Sequence, residues 1–369
     1  MSGNTFGHIF RLTTFGESHG AAIGGVIDGC PAGLSLDSDR IQSELSRRRP
    51  GQSNVTTARK ESDQVELLSG VLDGKTLGTP ISFIIRNNDQ RSADYDELKG
   101  VFRPSHADYT YQVKYGIRDH RGGGRSSARE TAARVVAGAI ARQLLEAFNI
   151  RISAYVSGIG PVRMTSQDRY YTATEVDATP VRCPQLDRAS MMEKHILDMK
   201  ESGDTCGGVI TCVTEHLPAG LGEPVFDKLS ARLAAACMSI NAAHGFEFGS
   251  GFEGSSMKGS EHNDPFVSDA SGAVRTTTNH SGGIQGGISN GMPVVFRVAF
   301  KPVSTHSGQQ SSIDQHGNAV EFSATGRHDP CVVPRAVPIV EAMAAITFAD
   351  MLLQQSSSRF SDLLANFKK

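Results

Sequence analysis

Apolar positions along this chain fall into two rhythms. Short apolar runs bounded by turn residues predict strands at residues 23–27, 65–68, 81–85, 150–156, 209–213 and 294–299. Helical spacing appears after Asp37, where Ile41 and Leu45 share a face and Pro50 sets the end. It appears again from Ser127, with Val135, Val136, Ala139, Ile140, Leu144, Leu145 and Phe148 in register. Further helices are predicted near Ser190, after Pro224, and over residues 336–355. Pro224 suits a first helical turn, where its missing N–H costs little. Strands and helices alternate irregularly, which predicts an α+β fold with antiparallel sheets. The polar stretches 165–184 and 304–319 read as surface loops, and 356–369 as a tail, frayed or used in assembly. Residues 1–355 are expected to form a single catalytic domain.

Composition narrows the class. With 38% hydrophobic and 21% charged residues among 369, the chain can build a core. Its net charge of -2 argues against nucleic acid as partner. No apolar run approaches the roughly 20 residues of a membrane span. The N-terminal residues resemble no leader, so a cytoplasmic protein is expected. Six cysteines without a C-x-x-C pair read as free thiols, and no metal-ligand spacing is present. Neither a Walker A motif nor a dinucleotide fingerprint in its strand–helix context is found.

Local charge changes the picture. From Arg103 to Arg134 there are seven basic residues (Arg103, Lys114, Arg118, Arg121, Arg125, Arg129, Arg134) against Asp108, Asp119 and Glu130. A positive segment in a slightly acidic protein points to a small anionic ligand. Ser127 and Glu130 have capping-box spacing, and three glycines precede them at 122–124. A helix start behind a glycine loop offers free backbone N–H groups to phosphate or carboxylate. A capped surface helix with solvated arginines is the other reading. Further along the chain, Gly16-Glu-Ser-His-Gly20 presents Ser18 and His19 in a tight turn. Adjacent Ser and His do not build a hydrolase triad. Arg47-Arg-Arg49 ends a helix, Asn241 follows another, and residues 279–291 are dense in glycine. Gly326-Arg-His-Asp-Pro330 sets a cation, an imidazole and a carboxylate side by side, which suits proton transfer beside an anion.

Taken together, these motifs resemble the chorismate synthase family. The match runs from about Thr5 to Leu353 and is carried by six stretches in order. They are Gly16-Glu-Ser-His-Gly20, Arg47-Arg-Arg-Pro-Gly51, Arg103-Pro-Ser-His-Ala-Asp108, Gly122-Gly-Gly-Arg-Ser-Ser-Ala-Arg-Glu-Thr131, Asn279-His-Ser-Gly-Gly283 and Gly326-Arg-His-Asp-Pro330. The resemblance implies a β-α-β sandwich with helices between antiparallel sheets, assembled as a homotetramer. It implies conversion of 5-enolpyruvylshikimate 3-phosphate to chorismate and phosphate with reduced FMN, with NADPH as reductant in bifunctional members.

By resemblance, His19, His106 and Asp329 are catalytic. Ser18, Arg48, Arg103, Ser127, Arg129 and Arg327 bind substrate. Arg125, Ser126, Ser127, Asn241, Ala242, Gly286, Lys301, Pro302, Val303, Ser304, Thr305 and Arg327 bind FMN. Many relatives carry a basic residue where this chain has Asn54. A flavin oxidoreductase and a non-catalytic anion-binding protein are the competing readings.

Overall fold

The computed structural model describes residues 3–53, 55–56, 62–88, 99–166, 168–270, 272–323 and 329–367. Two five-stranded antiparallel sheets face one another across a layer of helices. The first holds β1 (Thr5–Phe6), β2 (Arg11–Phe15), β3 (Ala22–Asp28), β4 (Val65–Leu67) and β5 (Ile81–Arg86), in the order β1-β2-β3-β5-β4. The second holds β6 (Arg151–Ile159), β7 (Val162–Arg163), β8 (Gly208–Glu215), β9 (Ala243–Phe248) and β10 (Val294–Phe300), in the order β9-β10-β8-β6-β7. In β10 the side chains of Val294, Phe296, Val298 and Phe300 are buried, with half-exposed residues between them. That is the period-two pattern of a sheet with one face in the core. The expected sandwich of helices between antiparallel sheets is therefore what the chain forms.

Between the sheets lie α1 (Ser38–Arg48), α3 (Thr131–Glu146) and the long α6 (Val333–Gln355). The other helices of eight residues or more among the described residues are α2 (Asp108–Tyr115), α4 (Leu186–Glu201), α5 (Leu229–Met238) and α7 (Phe360–Phe367). Helix α3 packs on β2, β3 and β5, α6 packs on β6 and β8, and the two helices pack on each other. Both are buried nearly all round, so neither needs a polar face. Gly138 permits their closest approach, because a Cβ there would collide with the backbone of Ala342. By length and apolarity α6 could cross a membrane, but it is the core helix of the sandwich and 89% of its most apolar stretch is buried.

Polar groups inside α6 fix its neighbours. Pro338 has no N–H, which leaves the Pro334 carbonyl without its helical donor. Arg182 Nη1 donates to that carbonyl at 2.6 Å. Glu341 accepts from Arg47 Nη1 at 2.6 Å and from the Ala154 N–H at 3.0 Å, tying α1 and β6 to α6. Asp350 accepts the backbone N–H groups of His8, Ile9 and Phe10 at 2.7–3.1 Å. Glu341, and Arg182 Nη2 donating to the Arg47 carbonyl at 2.5 Å, thereby hold the end of α1, where Arg48 sits.

Several expectations need correction. The helix expected from Ser127 opens as one 3-10 turn (Ala128–Glu130), with α-geometry from Thr131. Ser127 Oγ accepts from the Arg129 N–H, and Glu130 pairs with Arg134, so the reciprocal capping box does not form. The helix expected after Pro224 begins at Leu229, whose N–H is taken by the Gly287 carbonyl. The supposed loop 304–319 contains a hairpin of Gln309–Ile313 with Ala319–Ser323. Its first strand is rich in Gln and Ser, so no apolar alternation announces it. Within 165–184, Tyr171, Val176, Val181 and Cys183 are buried, so this stretch is more than surface loop. The tail carries helix α7, with Phe360 and Phe367 exposed.

Candidate functional site

A cavity of about 380 Å³ opens where the helix layer meets the loops of the second sheet. Five separate stretches of chain and Arg48 line it. Ser126, Ser127, Ala128 and Thr131 come from the start of α3. Ile240, Asn241 and Ala242 follow α5, and Lys301, Val303, Ser304 and Thr305 follow β10. Arg103, Ser105, His106 and Ala107 precede α2. Asp329, Val332, Arg335, Ala336 and Ile339 belong to the entry of α6.

Short backbone ties hold these stretches in place. The Lys301 N–H donates to the Ala242 carbonyl at 2.9 Å. Asn241 Nδ2 donates to the Ser126 carbonyl at 2.7 Å. Ala242 has a φ of 65°, a left-handed conformation that side chains other than glycine rarely adopt. Asn241 Oδ1 is buried and accepts no hydrogen bond from the described residues. A buried acceptor without a donor is costly, and it marks a place for a ligand N–H or water.

The arginines are organised by two carboxylates that the sequence reading had not assigned. Asp63, fully buried with a left-handed φ of 46°, is the first. Arg48 Nη1 donates to it at 3.1 Å, and Arg129 Nη1 donates to its other oxygen. Burial would raise the Asp63 carboxyl, but Arg48 and Arg129 outweigh it and hold it below the usual range. Burial pulls the Arg48 guanidinium down to about 10, so it stays charged at neutral pH. Arg48 also donates to the Ala128 carbonyl at 2.7 Å and to Thr131 Oγ1 at 3.3 Å, which fixes it against the start of α3. Arg129 instead donates to Asp63, Asn87 Oδ1 and the Arg86 carbonyl, and is absent from the cavity wall.

Asp108 is the second carboxylate. It accepts from Arg103 Nε at 2.7 Å, Arg118 Nη1 at 2.9 Å and the Arg103 N–H at 3.1 Å. His106 Nδ1 lies 3.0 Å from its Oδ1. Burial acts to raise this carboxyl as well, and the bonds from Arg103 and His106 drive it well below the ordinary range.

His106 faces two cavities. Besides the larger one it lines a second of about 260 Å³ with Glu17, Tyr111, Arg118 and the glycine loop. Ser18 and His19 line neither. Both are buried in the turn closed by the Gly20 N–H on the Glu17 carbonyl, and Ser18 Oγ lies 3.0 Å from His19 Nδ1. Gly122, at a φ of 89°, lets the glycine loop rest on the His19 ring, where any Cβ would collide.

The remaining expected residues divide. Asp329 lines the larger cavity and is paired with Arg335, which also donates to the Arg48 carbonyl at 3.4 Å. Arg125 lines the smaller cavity, its guanidinium donating to the Gly16 carbonyl at 3.0 Å and Thr14 Oγ1 at 2.6 Å. Pro302 lies between lining residues and is not itself one. Gly286 is also outside the wall, at the turn of a small hairpin whose next residue, Gly287, rests on Lys228. Arg327 and Asn54 lie outside the described residues. Asp108 stood within the charge-rich segment and its spacing from His106 was a usable signal. Asp63 gave none, since Arg129 lies 66 residues away, and Arg335 gave none, since it stands in no motif with Asp329.

Comparison with known proteins bears on the family and the fold. The chorismate synthase family model matches residues 10–353. A chorismate synthase of Christiangramia forsetii is 59% identical over 359 residues, covering 97% of this chain and 100% of the relative. One from Porphyromonas gingivalis is 56% identical over 96% of this chain and 97% of its own. A crystal structure of chorismate synthase superposes with a TM-score of 0.76 at 32% identity, covering 98% of this chain and 97% of that one. By near-complete matches in sequence and in fold, this chain belongs to the chorismate synthase family of lyases.

Proposed function

We propose that the protein converts 5-enolpyruvylshikimate 3-phosphate to chorismate and phosphate by anti-1,4-elimination, with reduced FMN as cofactor. The observation that carries the proposal is the larger cavity, where Arg48, Arg103, Lys301, His106 and Asp329 converge. A substrate with one phosphate and two carboxylates calls for fixed cations, and guanidinium forks suit it. The residues fit the flavin too. Hydroxyls, loop backbone and the lone acceptor Asn241 Oδ1 would hold a flat heterocycle that offers an N–H. When bound, reduced FMN supplies transient electron density to a C–O cleavage that has no net redox change.

The residues divide the remaining work. Arg48 and Arg103 bind and orient anionic groups, with Arg129 behind Arg48 through Asp63 and Arg327 completing the set. Ser127 adds a hydroxyl contact, and Ser18 another beside His19. Asp329 assists removal of the substrate proton, its carboxylate aimed by Arg335. By the resemblance, His19, behind the glycine loop, assists departure of phosphate, and His106 sits near the flavin and holds its protonation state. Ser126, Asn241, Ala242, Lys301 and Val303 to Thr305 hold the cofactor, with Arg125, Pro302 and Gly286 as further contacts from the resemblance. The protein is further proposed to act as a homotetramer in the cytoplasm.

The test is an anaerobic assay with substrate and chemically reduced FMN, following chorismate absorbance and phosphate release. Equal amounts of both products without net flavin oxidation support the lyase reading. Net oxidation of flavin with each turnover would favour an oxidoreductase instead. Oxidised FMN with NADPH in the same assay separates bifunctional from monofunctional members. His19→Ala and His106→Ala should each lower turnover about a hundredfold or more in folded protein.

A further inference from the structure

The contacts around His106 determine which of its nitrogens carries the proton. Nδ1 has two neighbours with opposite demands. Arg103 Nη2 lies 3.1 Å away and can only donate, whereas Asp108 Oδ1 lies 3.0 Å away and can only accept. Arg103 Nη2 has two hydrogens and, besides the ring, two oxygen acceptors. One is Asp108 Oδ1 at 2.8 Å and the other is the Gly122 carbonyl at 3.3 Å. With both hydrogens engaged, nothing is left to donate to the ring. An unprotonated Nδ1 would then set its lone pair against a buried carboxylate, at the cost of an unmade and repulsive contact. A protonated Nδ1 completes the network instead.

We propose that Asp108 is a positioning residue that fixes His106 as the Nδ1–H tautomer and leaves the Nε2 lone pair for a ligand in the adjoining cavities. The Asp108 side chain is 4% exposed and that of His106 is 22% exposed, so the ring presents more of itself to the cavities than its anchor does. Arg103 and Arg118 serve Asp108 in turn. Two guanidiniums hold the carboxylate ionised and aimed, as outer partners orient an imidazole in catalytic triads and metal sites. Arg118 also donates to the carbonyls of Lys99 at 2.9 Å and Val101 at 3.1 Å, which fastens the clamp to the strand-like entry of this segment. The inference rests on the reading of His106 as a working group of the proposed lyase.

The test is the tautomer of His106, read from long-range proton–nitrogen correlations in ¹⁵N-histidine-labelled protein at a pH where the ring is neutral. Wild type should show Nδ1–H, and an Nε2–H ring would overturn the proposal without any variant. In Asp108→Ala the carboxylate is gone, and Arg103 Nη2, released from Oδ1, is free to donate to Nδ1. The tautomer should invert, with kcat falling about a hundredfold or more and KM changing little. An unchanged tautomer in folded Asp108→Ala overturns the proposal. In a His106→Ala background the same substitution should cause no further loss of turnover, whereas an additive loss means Asp108 does not act through His106. If wild type makes no chorismate yet the tautomer inverts as expected, positioning stands and the lyase reading falls.

Discussion

Asp63 and Asp108 each gather two arginines, but they draw them from opposite ranges of sequence. Asp63 is served by Arg48, fifteen residues before it, and by Arg129, 66 residues after it. Asp108 takes Arg103, His106 and Arg118, all within ten residues. The first cluster is sealed, with all three side chains at most 3% exposed. The second borders both cavities. Asp63 therefore acts as a rivet between the end of α1 and the start of α3, whereas Asp108 acts on a group that meets ligand. Charges buried without water depend on their partners, while a cluster at a cavity edge can be rehydrated when one partner is lost.

Removing the sealed carboxylate is the sharpest way to break this comparison. Asp63→Ala leaves two buried guanidiniums facing each other, and should cost about 3–5 kcal/mol in urea unfolding. Asp108→Ala should cost clearly less stability and far more activity. Equal losses of stability would erase the distinction. Acid provides the next test. Both carboxyls are held below their ordinary values, so their contribution is complete above about pH 4 and fades as pH falls toward the lowered folded values. Wild type should lose stability below about pH 4, and Asp63→Asn should show a shallower fall over the same range.

Asn241→Ala comes next in size. Losing the lone acceptor should weaken binding of reduced FMN about fivefold to tenfold, from about 1 kcal/mol per hydrogen bond. Anaerobic titration of flavin fluorescence would show it, and an unchanged affinity would mean that Asn241 Oδ1 faces no flavin donor. The smallest effect is expected at Arg121. It pairs with Asp119 at 2.9 Å on the surface, in the same segment as the Asp108 clamp. Arg121→Gln should leave the unfolding midpoint unchanged, since exposed pairs are screened by water and salt.

Legibility follows the same division between local and distant. Strands β3, β5, β6, β8 and β10 and helices α1, α3 and α6 were readable because each buries an apolar face and shows its own period. The hairpin at 309–323 was not readable, as its first strand, Gln309–Ile313, is polar and carries no apolar alternation. Pro224 misled because proline permits a helix start without requiring one. Of the site, Arg103, His106, Ser127 and Asp329 were visible in motifs and do line one cavity. That Arg129 lies behind the wall was not visible, since a guanidinium's partners depend on which carboxylate the fold brings near.

By itself the sequence determined the elements, their apolar faces and the family, because these rest on periodicity and on motifs read within a few residues. It also contained the Asp108 cluster, whose members are near neighbours in the chain. Only the tertiary structure decided that α1 and α3 converge on Asp63, that Arg182 serves the carbonyl freed by Pro338, and that five remote stretches enclose one cavity. Those outcomes depend on packing two sheets over a shared helix layer. Contacts of that kind are set by the whole core, and no single stretch of the chain encodes them.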